Sequence, residues 1–320
     1  MVNAPTVARW GGTSRFADVD GPVHYVDFGG PPRAGTVVLV HGLGGSHLNW
    51  CPLAPLLVPH ARVLAVDLAG FGLTDPAGRS TTVTANAALL HGFLSGVAGG
   101  PVLLVGNSMG GMISILQAAA HPETVSGLVL IDPALPPALG ALPDPLVTAA
   151  FASYALPGFG EWVVSRTRRR FTADEQVAQV YRLCCGDSGA LSPELVAAAV
   201  ALVEQRAGAA GLDTAFLAAA RSVLWLAGRR WQYWRSMRAI QAPVLLLHGE
   251  ADRLVSVRSA RAAAARHRHW ELTTFPKVGH VPQLEVPDLV AARILEWAAH
   301  HHWSGLTGVP DPGSQPQPTS

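Results

Sequence analysis

Six residues, GNSMGG at 106–111, place a serine between glycines two positions away on either side. The apolar run VLLV (102–105) precedes them, and a stretch rich in Ala, Leu and Ile follows. The G-x-S-x-G pattern therefore falls where a strand should turn sharply into a helix. A serine on such a turn sits in strained backbone, which neighbours without side chains permit at Gly106 and Gly110. The turn lifts the Ser108 hydroxyl clear of the sheet, and the following helix aims its N-terminal amides at the same spot. The chemistry this suits is nucleophilic attack. No lysine follows the glycines, which excludes a phosphate-binding loop.

A serine hydroxyl needs a base, and the chain has 13 histidines. His280, in KVGHVPQLEVP, follows the last expected strand and is the best placed. His41, His47, His91 and His248 are its rivals. Of these, His41 and His248 each end an expected strand just before glycine, a place that suits turns and packing. The acid that orients the imidazole should lie between Ser108 and His280 in the chain. Asp252, in LLLHGEADRLV, is the choice, with Asp132 and Glu250 as alternatives. Two backbone amides should receive a developing oxyanion. One is that of Met109, directly after the serine, and the other is assigned to Leu43 in the glycine-rich HGLGG (41–45).

These residues need a frame that brings them to one edge. Short β-branched or Leu- and Val-containing runs at 24–28, 36–40, 62–66, 102–105, 125–131, 244–247 and 270–275 read as strands. Several are continuously apolar, as strands buried on both faces should be. Helices at 82–97, 109–120 and 257–266 fit between them. The alternation predicts an α/β fold with a mostly parallel central sheet flanked by helices. Between 133 and 242 the rhythm stops, and an all-helical insertion is expected there as a cap over the C-terminal edge of the sheet, where ligands of open α/β sheets bind. The core is then 15–132 with 243–302, and 1–14 and 303–320, rich in Gly, Pro and Ser, are expected to be loose.

Of the 320 residues 49% are apolar and 14% charged, and the net charge is +1, so a large core is available and a nucleic-acid partner is not expected. The mean hydropathy of +0.26 raises the question of a membrane span. The longest apolar stretch, 212–228, is broken by Asp213, Arg221 and Ser222. No secretory signal is evident at the start, and three cysteines, with Cys184 and Cys185 adjacent, make no disulfide framework. A reducing, cytoplasmic setting is the expectation. The run RTRRR, with Arg166, Arg168, Arg169 and Arg170, reads either as a solvated helix face or as a surface for an acidic substrate or anionic lipid head groups. The cap aromatics Trp225, Trp231, Tyr233 and Trp234 read either as lining for an acyl pocket or as cap core. His300, His301 and His302 have no acidic or cysteine partner at ligand spacing, so neither a metal nor a cofactor is expected.

Taken in order, HGLGG, DLAGFGLTD (67–75), GNSMGG, GEADRLV and GHVPQLEVP resemble the α/β-hydrolase fold superfamily over about residues 15–302. The resemblance implies the fold and a Ser–Asp–His triad, and says little about substrate. Epoxide hydrolases and haloalkane dehalogenases of this fold carry Asp where Ser108 stands. Carbon–carbon bond hydrolases of ring-cleavage products have a similar GNSMGG but usually place Trp after the histidine, where this chain has Val281. The expected activity is that of a serine hydrolase, esterase or lipase-like, that cleaves a small-molecule carboxylic ester with an apolar acyl or alcohol part through an acyl-enzyme. A carbon–carbon bond hydrolase of vinylogous diketones is the alternative, and a ligand-binding member without turnover is a third reading.

Overall fold

The computed structural model describes residues 7–301 and 303, apart from 33, 77, 139, 142 and 143. Eight strands form one sheet: β1 (Thr13–Asp18), β2 (Pro22–Gly29), β3 (Thr36–Val40), β4 (Arg62–Val66), β5 (Val102–Asn107), β6 (Val125–Ile131), β7 (Val244–Gly249) and β8 (Trp270–Phe275). Their order is β1-β2-β4-β3-β5-β6-β7-β8. The pairs β1–β2 and β2–β4 are antiparallel and every later pair is parallel, so the residues that follow β3 and β5 to β8 emerge at one edge. The central strands are apolar throughout because both faces are covered. Val38, Val40, Leu104 and Leu128 pack on one side, and Val37, Leu39, Leu103 and Val129 on the other.

Helices α1 (Ala54–Leu57), α2 (Val83–Phe93) and α3 (Met109–Ala120) follow the early strands. Six more, among the described residues, lie between β6 and β7: α4 (Pro145–Ala155), α5 (Phe159–Arg170), α6 (Ala173–Cys184), α7 (Pro193–Arg206), α8 (Leu212–Gly228) and α9 (Arg230–Ala239). They begin where the chain supplies caps: the side chains of Asp144, Thr172 and Ser192 accept from amides of the first turns of α4, α6 and α7. Helices α10 (Val257–Arg266), α11 (Pro282–Glu285) and α12 (Pro287–His300) close the chain. No helix among the described residues is long and apolar enough to cross a membrane.

The seven expected strands are present, and an eighth, β1, is added. Its exposed and half-buried pattern lacks an apolar run because it is an antiparallel edge strand. The ordered fold therefore starts before residue 15, with Val7 already buried in the core. At the other end the Trp303 indole donates to Ser126 Oγ at 2.8 Å, so that residue is tied down rather than loose. The rest of the expected loose termini, 1–6 and 304–320, lies outside the described residues.

One buried charge stitches the loops behind the site. Asp67, after β4, accepts from His24 Nδ1 on β2 at 2.7 Å, from His47 Nδ1 at 2.8 Å, and from the amides of His47 and Leu73 at 2.6 and 2.8 Å. Burial alone would raise its carboxyl, but the neighbouring His47 and His24 hold it well below the usual range. The stability this contributes is present above the ordinary carboxylate range and is lost as pH falls toward the lowered value. Asp67→Asn leaves buried donors facing an amide. It should cost about 3–5 kcal/mol in urea unfolding, with the slope unchanged and the loss shrinking in acid.

Candidate active site

Strand β5 ends at Asn107 and α3 begins at Met109, which leaves Ser108 alone to turn the chain, at φ 54° and ψ −117°. Such a backbone is costly for a residue with a Cβ and survives only where its surroundings enforce it. Here the helix packs hard against the sheet. A Cβ at Gly110 would overlap the Val40 carbonyl, and one at Gly106 would lie 2.5 Å from Ser114 Oγ. The two glycines are thus a steric requirement of bringing α3 onto β3 and β5.

The other residues singled out in the sequence come from neighbouring strand ends. Asp252 follows β7 and His280 follows β8, and His280 Nδ1 lies 2.7 Å from Asp252 Oδ2. The second Asp252 oxygen accepts from the amides of Leu254 and Val255 at 2.7 and 3.0 Å, which fixes the carboxylate plane. Burial would raise the Asp252 carboxyl, yet the His280 charge and hydrogen bond, with His248 beyond, bring it below its ordinary value. An ionised carboxylate there makes Nδ1 the donor and leaves Nε2 as the free lone pair. That Nε2 is buried and has no hydrogen-bond partner among the described residues. The Asn107 side chain donates to the His280 carbonyl at 3.1 Å and so holds the histidine loop against the serine turn. No hydrogen bond joins Ser108 to His280 among the described residues, a looseness usual before a substrate closes the site.

The HGLGG loop arrives from β3. A Cβ on Gly42 would sit 2.9 Å from Ser108 Cβ, so the loop backbone passes directly beside the serine. His41 shapes it from beneath, through its Nδ1 to the Gly42 carbonyl at 2.8 Å and its Nε2 to the Leu68 amide at 3.1 Å. Burial lowers His41 from its ordinary value, which keeps the ring neutral and able to do both. The amides of Leu43 and Met109 have no acceptor among the described residues. Two bare amides beside a serine hydroxyl form an arrangement that suits a developing oxyanion.

Of the remaining candidates, His47, His91 and Glu250 are placed elsewhere, whereas His248 Nε2 lies 3.4 Å from Asp132 Oδ1 and 3.5 Å from Asp252 Oδ2. His47 is bound to Asp67, His91 stacks on His121, and His248 donates from Nε2 to the Val255 carbonyl at 2.8 Å. Asp132 is close to Asp252 and His280 but makes its hydrogen bond to the Gly249 amide, at 2.9 Å. Burial, then the charge and contact of Asp252, push its carboxyl well above the usual range. Glu250 is held by Arg261 and Thr274, each at 2.9 Å. Glu271, unremarkable in the sequence, comes beside His300 and His301, so a carboxylate does meet that run, though His302 lies outside the described residues. Arg293 already holds Glu271 at 2.6 Å, and the group sits at the opposite edge of the sheet from Ser108.

Three features were not legible beforehand. Trp225 and Trp231 are 53% and 68% exposed, Tyr233 is buried in the core with its hydroxyl donating to the Ala134 carbonyl at 3.0 Å, and Trp234 stacks on His267. It is Phe216 of α8 that approaches Gly44, with Tyr154 of α4 edge-on to it at 5.4 Å. The one sequence signal toward it is the recurrence of Leu212, Phe216, Ala220, Val223 and Ala227 at helical spacing. Glu285, within the quoted QLEVP, accepts from the amides of Gly279 and Gly186 at 2.8 Å each. It thereby ties the His280 loop to the end of α6, where the Cys184 carbonyl accepts the His280 amide at 2.6 Å.

Comparison with known proteins places this geometry in context. The chain is 38% identical to Lipase LipV of Mycobacterium tuberculosis over 106 residues, which is 33% of this chain and 40% of that lipase. It thus spans about two-fifths of the length of that relative. It is 28% identical over 298 residues to a 2-hydroxy-6-oxononadienedioate/2-hydroxy-6-oxononatrienedioate hydrolase of Pseudomonas putida, covering 90% of this chain and 97% of that enzyme. The solved structure of a thermophilic esterase from Thermogutta terrifontis superposes with a TM-score of 0.67 at 23% identity, over 91% of this chain and 99% of that one, a likeness of fold. The family described as the alpha/beta hydrolase family matches residues 37–293, from the strand before HGLGG to the helix after His280. By sheet order, by the serine turn and by that match, the chain belongs to the alpha/beta hydrolase family.

Proposed function

We propose that this hydrolase cleaves a carboxylic ester with an apolar acyl or alcohol part through an acyl-enzyme. The observation that carries the reading is the His280 ring, fixed at Nδ1 by Asp252 at 2.7 Å and bare at Nε2, in the loop held against the Ser108 turn. In this reading His280 takes the Ser108 proton as the hydroxyl attacks the ester carbonyl. The amides of Leu43 and Met109 receive the oxyanion, each worth on the order of 3 kcal/mol in the transition state. The alcohol leaves with the proton from His280, and water then attacks the acyl-enzyme with His280 again as base. The helical segment 133–242 acts as the cap, and Phe216, Tyr154 and the half-buried Leu43 give the neutral lining that an apolar acyl chain needs.

A second reading, hydrolysis of a carbon–carbon bond in a vinylogous diketone, draws support from the relatives that align along most of the chain. A dioate substrate brings carboxylates, for which Leu43, Phe216 and Tyr154 offer no cation. Initial rates on p-nitrophenyl esters from acetate to palmitate, beside a ring-fission diketone, separate the two. The expected result is an ester optimum with negligible diketone turnover. Efficient diketone cleavage with only weak ester activity would overturn the ester reading.

A further inference from the structure

The helix α5 lays two kinds of residue along one face. Phe159, Trp162, Arg166, Arg169 and Arg170 follow one another at spacings of three, four, three and one, which turns all of them to one side of a 3.6-residue helix. All five are exposed, Phe159 by 48% and Trp162 by 54%. The opposite side packs inward, where Arg168 pairs with Asp213 at 2.6 Å. The acid of this helix, Glu161, is taken by Arg221 of α8 at 2.9 Å. Arg166, Arg169 and Arg170 have no carboxylate partner among the described residues, and with Trp162 they line an open groove of about 400 Å³.

The apolar half continues off the helix. Leu156, just before α5, is 56% exposed. The Arg221 guanidinium touches the Leu156 carbonyl, and Trp225 stands one turn further along α8, 53% exposed. Arg229 lies over the Trp225 ring at 3.9 Å and Arg166 over Trp162 at 5.5 Å. Exposed aromatics of this size, unsupported by core, cost solubility unless something covers them. The order along α5 is aromatic first and arginine last, about 6 to 16 Å apart at 1.5 Å per residue.

We propose that this face docks the protein on the surface of an anionic phospholipid bilayer. Leu156, Phe159 and Trp162 enter the boundary between headgroups and acyl chains, about 5–10 Å deep. Arg166, Arg169 and Arg170 stay at the level of the phosphates, with bidentate geometry suited to them. Uncompensated arginines select a negative surface, and the aromatic and aliphatic tip selects a bilayer over a soluble polyanion. The inference concerns binding and does not rest on which bond the enzyme cleaves.

The test is sedimentation of the full-length protein with sucrose-loaded vesicles of phosphatidylcholine alone or with 30 mol% phosphatidylglycerol, about 30 being enough to give a strong negative surface potential. Binding is expected to the anionic vesicles only and to fall steeply in high salt. The triple variant Arg166→Gln, Arg169→Gln, Arg170→Gln should lose on the order of 10²-fold in partition coefficient, about fivefold per arginine. Phe159→Ser with Trp162→Ser should lose binding while keeping wild-type turnover of a soluble ester, which controls for folding. Equal binding to both vesicle types, no binding by wild type, or unchanged binding by the triple variant overturns the proposal. Capture by soluble polyglutamate without vesicle binding also overturns it, in favour of an acidic protein partner.

Discussion

Ser108→Ala is expected to lower kcat on a p-nitrophenyl ester by on the order of 10⁶, leaving only what the bare amides and binding supply. The size of the effect follows from geometry in which nothing stands in for the hydroxyl. Ser114, the nearest serine along α3, is fully buried and donates to the Gly110 carbonyl at 2.7 Å. The fold should not respond, because alanine keeps the Cβ and therefore the same strained backbone at φ 54°. Ser108→Gly makes the converse point. It removes the same hydroxyl but releases about 1–3 kcal/mol of backbone strain, so it should be as inactive as the alanine variant and unfold at higher urea. A Ser108→Ala enzyme with wild-type turnover would show that the nucleophile lies elsewhere. A Ser108→Gly enzyme no more stable than alanine would show that the turn is not strained.

The same strain explains why the serine turn could be read from the chain at all. Gly106 and Gly110 are where they are because a Cβ has no room, so a steric necessity appears as a letter in the sequence. That Asp252 and His280 come together was legible for a related reason: Asp252 follows the continuously apolar run 244–247 and His280 follows the next strand, and parallel strands deliver their ends to one edge. The lining was not legible. Trp225, Trp231 and Phe216 share the aromatic character that suggests a pocket, and only the packing of the helices decides that Phe216 meets Tyr154 and approaches Gly44 while the two tryptophans face out. Strand β1 escaped because an antiparallel edge strand with one face open has no apolar run to announce it. The carboxylate beside His301 escaped because Glu271 reaches it through the sheet and α12, across 30 positions of sequence.

Asp252→Asn and Asp132→Asn should differ by several orders of magnitude, although both carboxylates lie beside His280. In Asp252 the amides of Leu254 and Val255 both donate to Oδ1, so an asparagine must keep its oxygen there and present its NH₂ to His280 Nδ1. Two donors then face one another unless the imidazole moves its proton to Nε2, the nitrogen that must accept from Ser108. A loss of about 10⁴ in kcat is the expected result of that wrong tautomer. In Asp132 the Gly249 amide fixes Oδ1 in the same way, but the buried Oδ2 has no hydrogen-bond donor among the described residues. Because burial and Asp252 shift this carboxyl toward its neutral form, which an amide copies, kcat should change little. Stability reports the same assignment independently. A raised carboxyl contributes fully below the ordinary carboxylate range and costs more as pH rises toward its own value. Asparagine escapes that cost, so the Tm of Asp132→Asn should pull ahead of wild type as pH is raised from about 4 toward 8, the ordinary carboxylate lying near 4. If instead Asp132→Asn loses the four orders of magnitude and Asp252→Asn does not, the orienting acid is Asp132, and Asp252 is the residue that merely shares its burial.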